Sequence, residues 1–352
     1  MTATAPLAAT PIGDALSTHW TLLPLGQVED LVAQVYGIQG NVTRLSSERD
    51  ETFKFTARSG DAYILKIANP SEDVASLRFQ DAALAHLETV ASPVPLPRLV
   101  RTKHGNTDYD LEPDEGGVRT VRLLSYLAGE PAYRLRPCAD RNRNIGRSLA
   151  TLGQGLAGFD GRPPSGKLLW DISHTLDLAN LIDHVDAGRR DLVLGVLAEF
   201  ERRAAPVMDA LPRQVIHNDF NLHNILIDPA SPSAVAGVID FGDMVFAPRV
   251  NDLAVALAYH VDTVDWRSLL GAMLKGYSEV TRLEEREVAL LPVLLKARLA
   301  ISIIIPEYRA ASRPDNRHYI MRNHRAAWLG LQTLAALPDA ELERFVSSHC
   351  KD

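Results

Sequence analysis

Apolar residues recur at helical spacing through residues 27–36, and the run stops at Gly37, which predicts a helix with a glycine stop. Three short runs rich in β-branched and aromatic residues follow, at 42–45, 51–57 and 62–68, with Ser59-Gly60-Asp61 as the turn between the last two. Residues 72–90 carry the stripe Leu77, Leu84 and Leu87 of a second helix, closed by Pro93-Val94-Pro95-Leu96-Pro97. Two more strands are expected at 99–102 and 118–124. From Ala139 onward helical spacing dominates, broken only by the short apolar runs Val215-Ile216, 225–227 and 235–239. The composition shifts near 125–129, and no internal repeat is present. The pattern predicts an α+β chain: a flexible tail over 1–24, a small antiparallel sheet with one main helix over 25–124, and a mainly helical part over 125–352.

With 352 residues, 46% of them hydrophobic, the chain can bury a large core. A net charge of -7 leaves no basic surplus for a phosphate backbone or anionic lipid, so neither nucleic acid nor a membrane surface is expected as a partner. Cys138 and Cys350 lie far apart and belong to no metal-binding or redox spacing, which fits a reducing cytoplasm. Residues 1–11 lack the basic start and apolar core of a signal peptide. Apolar runs such as 299–305 stop short of the roughly 20 residues that a bilayer span needs.

The chemistry concentrates in His217-Asn218-Asp219-Phe220-Asn221-Leu222-His223-Asn224, followed by Val238-Ile239-Asp240-Phe241-Gly242-Asp243, with polar groups set between apolar strands. Phosphoryl transfer needs a carboxylate to receive the acceptor hydroxyl's proton and oxygen ligands to hold Mg²⁺ against the phosphates. Asp219, Asn224 and Asp240 are of those types. Asp240 ends an apolar run, so its carboxylate emerges from buried backbone, where a nearby cation offsets its charge. In Tyr63-Ile64-Leu65-Lys66-Ile67 both faces of the strand are apolar, so Lys66 is either a buried ammonium with a counter-charge or an edge lysine reaching for water.

These segments resemble the aminoglycoside phosphotransferase and choline kinase superfamily, whose catalytic loop reads His-x-Asp-x-x-x-x-Asn and whose metal motif reads Ile-Asp-Phe/Trp-x-Asp. Both motifs are intact here. The resemblance implies a bilobal protein-kinase-like fold, with Asp219 as catalytic base, His217 bracing the catalytic loop, and Asn224 and Asp240 binding Mg²⁺. It also implies that Lys66 holds the α- and β-phosphates of ATP. Gln80 stands where the family helix carries the acid that pairs with that lysine, so either Gln80 orients Lys66 by hydrogen bonding or Asp81 or Glu88 supplies the charge. Residues 45–53 resemble the family's phosphate loop with Ser47 and Thr52 in place of Gly and Asn, making Ser46, Ser47 and Arg49 candidate phosphate contacts. A charged hairpin turn is the alternative. Residues 122–129 resemble the strand and hinge where adenine is read by backbone groups, here at Ser125 and Leu127. Asp252 matches a further family position of structural type.

Within the superfamily, Glu48-Arg49-Asp50, Phe79-Gln80-Asp81, Arg122-Leu123-Leu124 and Leu169-Trp170-Asp171 look most like the hydroxylysine-kinase branch. That resemblance implies an ATP-dependent kinase for a hydroxyl of an amino-group-bearing metabolite, hydroxylysine or a related hydroxy amino acid. The alternatives are a kinase for homoserine, choline, ethanolamine or an aminoglycoside, and a catalytically silent nucleotide-binding regulator. An acceptor with ammonium and carboxylate groups needs acidic and basic side chains, for which Asp171, His223 and Arg298 are the candidates.

Overall fold

The computed structural model describes residues 22–47, 50–112, 117–164 and 166–350. The candidate phosphate contact Arg49, and most of the expected tail, lie outside the described residues. Two compact units emerge, one made of residues 22–85 with Pro97–Tyr126, the other of His86–Leu96 with residues 127–350.

The first unit opens with α1 (Leu25–Tyr36), ended by Gly37, whose φ of 74° lets its N–H reach back to Ala33 O. Then come β1 (Gly40–Leu45), β2 (Glu51–Ala57) and β3 (Ala62–Ile67), paired antiparallel in that order. Strand β2 alternates as the sequence requires, with Phe53, Phe55 and Ala57 buried. Glu51 shares that buried face, and Arg119 Nη1 meets its carboxylate at 2.8 Å while Arg44 pairs with the other oxygen. After α2 (Val74–Thr89), β4 (Leu99–Val100), β5 (Tyr109–Leu111) and β6 (Arg119–Ser125) complete the sheet, with β6 between β3 and β4. Val28, Val32, Phe53, Phe55, Leu65, Ile67, Val121 and Leu123 form the core beneath α1.

The second unit is mainly helical. It contains β7 (Glu130–Pro131), α3 (Ala139–Ala157), a 3-10 helix (Ile172–His184) and α4 (Ala187–Arg203), then four short strands: β8 (Arg213–Ile216), β9 (Ile225–Asp228), β10 (Ser231–Val238) and β11 (Val245–Pro248). Strand β8 pairs with β11, and β9 lies between β7 and β10. Helices α5 (Val250–Ala258), α6 (Trp266–Ser278), α7 (Glu285–Ser312), α8 (Arg317–Ile320), α9 (His324–Ala335) and α10 (Asp339–Cys350) follow. Helix α7 starts with a capping box between Glu284 and Glu287 and is the spine of this unit. Lys296 and Arg298 interrupt its apolar residues just before 299–305, and Glu307 just after. Among the described residues it is the one helix long and apolar enough to cross a membrane, and it is mostly buried inside the protein. Its buried cations are matched: Lys296 Nζ lies 2.9 Å from both Glu199 and Asp339.

Candidate active site

The segment 217–224 links β8 to β9, strands of two different small sheets, so its backbone must find partners outside any ladder. Asp252, in the first turn of α5, supplies them: its two oxygens accept the N–H of His217 at 3.0 Å and of Asn218 at 2.7 Å. Asn218 takes a left-handed φ of 61°, a conformation asparagine tolerates better than most residues. His217 is fully buried, and its Nδ1 accepts the Asp219 N–H at 3.3 Å while Nε2 donates to Ile239 O at 3.1 Å. Those two bonds assign the ring proton to Nε2. Ile239 N–H in turn donates to Asn224 O at 2.9 Å, which fastens the start of the second motif to the end of the first.

The Asp219 carboxylate is held on both oxygens. Asn221 Nδ2 donates to Oδ1 and Asn224 Nδ2 to Oδ2, each at 2.8 Å. Arg298 of α7 brings Nη2 to 3.7 Å from Oδ1. Burial pushes Asp219 up to about 7, reinforced by the charges of Asp243 and Asp240, while Arg298 and the Asn221 bond work the other way. Such a carboxylate can accept a proton near neutral pH.

The donor set fits a hard divalent cation. Asn224 spends its amide nitrogen on Asp219, bonding both its backbone oxygen and its Oδ2, which turns the amide oxygen to the opposite side. Asp240 is exposed at a left-handed φ of 64°, one residue from the Ile239–Asn224 bond. A carboxylate and an amide oxygen are the ligand types of Mg²⁺ or Ca²⁺.

Among the expected acceptor contacts, the structure distributes the roles unevenly. Arg298 is 1% exposed, donates through Nη1 to Trp170 O at 2.7 Å and through Nη2 to Tyr259 OH at 3.4 Å, and lies over the Trp170 ring. Its Nε is buried and has no hydrogen-bond partner among the described residues. Asp171 is buried as the N-cap of the 3-10 helix, where Oδ1 accepts from Ser173 N–H at 2.8 Å. That bond gives it a local structural task. His223 stacks on Tyr133 with ring centres 4.1 Å apart, and burial is the first cause holding it below the ordinary histidine range.

In the first unit, Lys66 is half-buried and lies directly across the ladder from Arg122 on β6. Arg122 Nη1 donates to Gln80 Oε1 at 3.2 Å and to Asp81 Oδ1 at 2.9 Å. Burial raises the Asp81 carboxyl, with Arg122 and, more weakly, Lys66 opposing. Asp81 is ion-paired with Arg122 and feels the charge of Lys66 as well. The sequence marks Arg122 through the resemblance of Arg122-Leu123-Leu124 to the hydroxylysine-kinase branch, but not its bonds to Gln80 and Asp81, which lie some forty residues away in the chain. Ser46 and Ser47 are exposed beyond β1, and Ser47 Oγ accepts from Asp50 N–H at 3.4 Å. Ser125 donates its N–H to Arg98 O at 2.8 Å and accepts the Arg98 N–H on its hydroxyl at 2.9 Å, bonds that do not involve its backbone carbonyl. Leu127 begins the 127–350 stretch of the second unit, and a Cβ on Gly237 would come within 2.7 Å of its Cδ1.

The model of the phosphotransferase enzyme family matches residues 41–291, most of the chain. The chain belongs to this family. A hydroxylysine kinase of Xenopus laevis is 27% identical over 355 residues, covering 94% of each protein. A homoserine kinase of Acidiphilium cryptum (strain JF-5) is also 27% identical, covering 76% of this chain and 80% of its own. In fold, a microcompartment-associated aminopropanol kinase superposes with a TM-score of 0.69 at 19% identity, covering 93% of this chain and 98% of its own. The family member is thus a small-molecule kinase, an ATP-dependent phosphotransferase acting on a hydroxyl group, with the protein-kinase-like α+β fold expected of its sequence.

Proposed function

We propose that the chain transfers the γ-phosphoryl group of ATP to the hydroxyl of a hydroxy amino acid, with hydroxylysine the best single candidate. The observation that carries the reading is the Asp219 carboxylate, fixed by Asn221 and Asn224 and poised to take a proton near pH 7. Asp219 removes the acceptor's proton as the oxygen attacks. His217 and Asp252 hold the loop, and Arg298 orients the carboxylate and balances its charge. Asn224 and Asp240 hold Mg²⁺, which when bound neutralises charge on the phosphates. Lys66, with Arg122, Gln80 and Asp81 around it, is assigned to the α- and β-phosphates, and Ser46, Ser47 and Arg49 to the phosphate loop. Ser125 and Leu127 are assigned to adenine through their backbones. His223 and Asp171 border the acceptor side.

The hydroxy amino acid is supported by the hydroxylysine kinase relatives, which match the chain over nearly its whole length. The homoserine kinases, matched over less of it, support the second reading. A cytoplasmic enzyme without nucleic-acid or membrane partners fits the acidic chain, the two free thiols and the buried α7. The test is ATP turnover against hydroxylysine, homoserine, choline, ethanolamine and an aminoglycoside. The reading expects the highest kcat/KM with hydroxylysine. A clear preference for choline, ethanolamine or an aminoglycoside would overturn the acceptor, and no turnover with any acceptor would favour a silent regulator.

A further inference from the structure

One face of α2 carries Arg78, Asp81, Ala82 and Ala85, spaced so that they lie one above another along the helix. That face and the loop between β4 and β5 border a cleft of about 410 Å³, built wholly from the first unit and large enough for a small metabolite. The loop is braced from within. The Thr102 hydroxyl accepts the N–H of His104 at 3.3 Å and of Asn106 at 3.2 Å, and Lys103 N–H donates to Val35 O at 2.9 Å, which ties the loop to α1.

Asp81 is buried and Arg122 bonds its Oδ1, yet Oδ2 has no hydrogen-bond partner among the described residues. A carboxylate oxygen taken out of water without a donor is costly. Two guanidinium groups line the same cleft with N–H groups to spare. Arg78 meets Asp108 only through Nε, at 3.5 Å, and Arg101 donates through Nη1 to Gly105 O at 2.9 Å. Both are exposed, and neither has another polar partner among the described residues. The cleft thus offers an acceptor at a buried position, donors at exposed ones, and the apolar side chains of Ala82 and Ala85 beside them.

We propose that this cleft is a second binding site, for a small zwitterion of the amino-acid class, whose ammonium meets Asp81 and whose carboxylate meets Arg78 and Arg101, and that its occupancy strengthens ATP binding. Arg122, the ion-pair partner of Asp81, faces Lys66 across the ladder, so charge placed beside Asp81 acts next to both cations. The coupling rests on the assignment of Lys66 to the ATP phosphates given above. An ammonium on Asp81 offsets a negative charge close to that polyanion, which favours the nucleotide.

The test is calorimetric titration of the full chain with L-norleucine, hexanoate and pentylamine. The first has no hydroxyl to phosphorylate, and the other two lack its ammonium and its carboxylate in turn. L-norleucine is expected to bind wild type at least about 10-fold more tightly than either analogue, and an Arg78→Met, Arg101→Met double variant to bind it about 10- to 100-fold more weakly at unchanged turnover. Saturating L-norleucine should tighten Mg-ATP binding to wild type about 5-fold or more. No binding to wild type, equal binding of hexanoate, or wild-type affinity in the double variant overturns the site. Unchanged Mg-ATP affinity overturns the coupling. Because both arginines are exposed, equal melting temperatures separate a binding effect from misfolding. Binding is read here without an acceptor, so failure of the acceptor class proposed above shows separately, in the turnover assay.

Discussion

The shape of the catalytic loop hangs on one side chain, Asp252, which satisfies two consecutive buried N–H groups. Asp252→Ala leaves both donors unpaired and is expected to cost about 2 to 5 kcal/mol of stability, measured by denaturant unfolding, with a loss of kcat in the fraction that folds. Asn218 makes the opposite case. Its φ of 61° is what matters, since its buried amide atoms have no hydrogen-bond partner among the described residues. Asn218→Gly should therefore keep both melting temperature and kcat near wild type. Asn218→Val should lower both, because a β-branched residue is strained at that φ. The loop's chemistry was legible in the sequence because the two motifs are local, and Asp252 stood out as a position of structural type. The surroundings of Arg298 were not legible. Trp170 and Tyr259 lie 128 and 39 residues away from it, and only the folded chain brings such partners together.

At the scale of elements, the legible strands were those whose burial alternates. The expected run 51–57 matches β2 residue for residue because its alternation gives one apolar face, and β3 ends one residue short of the expected 62–68, marked by its apolar run and the turn at 59–61. Strands β7 and β11 escaped notice: two and four residues long, each ending in proline, they carry too few positions to show a period. The pairing of α3 with α6 was equally hidden, and it depends on two glycines. A Cβ on Gly146 would come within 2.1 Å of Met273 O, and one on Gly276 within 1.9 Å of Arg143 O. Gly276→Ala must push the helices apart, and a loss of about 1 to 3 kcal/mol or more in chemical denaturation is expected. Near-wild-type stability would mean that the two helices are free to separate without cost.

For the whole molecule, the pattern of a sheet-rich first part and a helical remainder was enough to give the fold class, since each part repeats its own period over many residues. Its stability should respond to pH through His260, which burial pushes down to about 4. Asn142 Nδ2 donates to His260 Nδ1 and to Leu269 O, so the ring must accept and is held neutral between α3 and α6. The unfolded histidine titrates near 6.5, so below that pH the unfolded chain binds the extra proton. The contribution is complete above pH 6.5 and falls away by up to about 3 kcal/mol as the pH drops towards 4. Asp219, raised to about 7, gains stability over the same range. The loss is therefore read from the difference between wild type and a His260→Gln variant in unfolding free energy at pH 7.5 and 5, which should shrink at the lower pH. The claim on which the rest depends is that Asp219 is the base of a phosphoryl transfer, and Asp219→Asn tests it with little change of shape. Single-turnover kinetics beside calorimetric titration of Mg-ATP should give a rate lower by about 10² to 10⁴ at nearly unchanged nucleotide affinity. A rate within a few-fold of wild type would contradict the account.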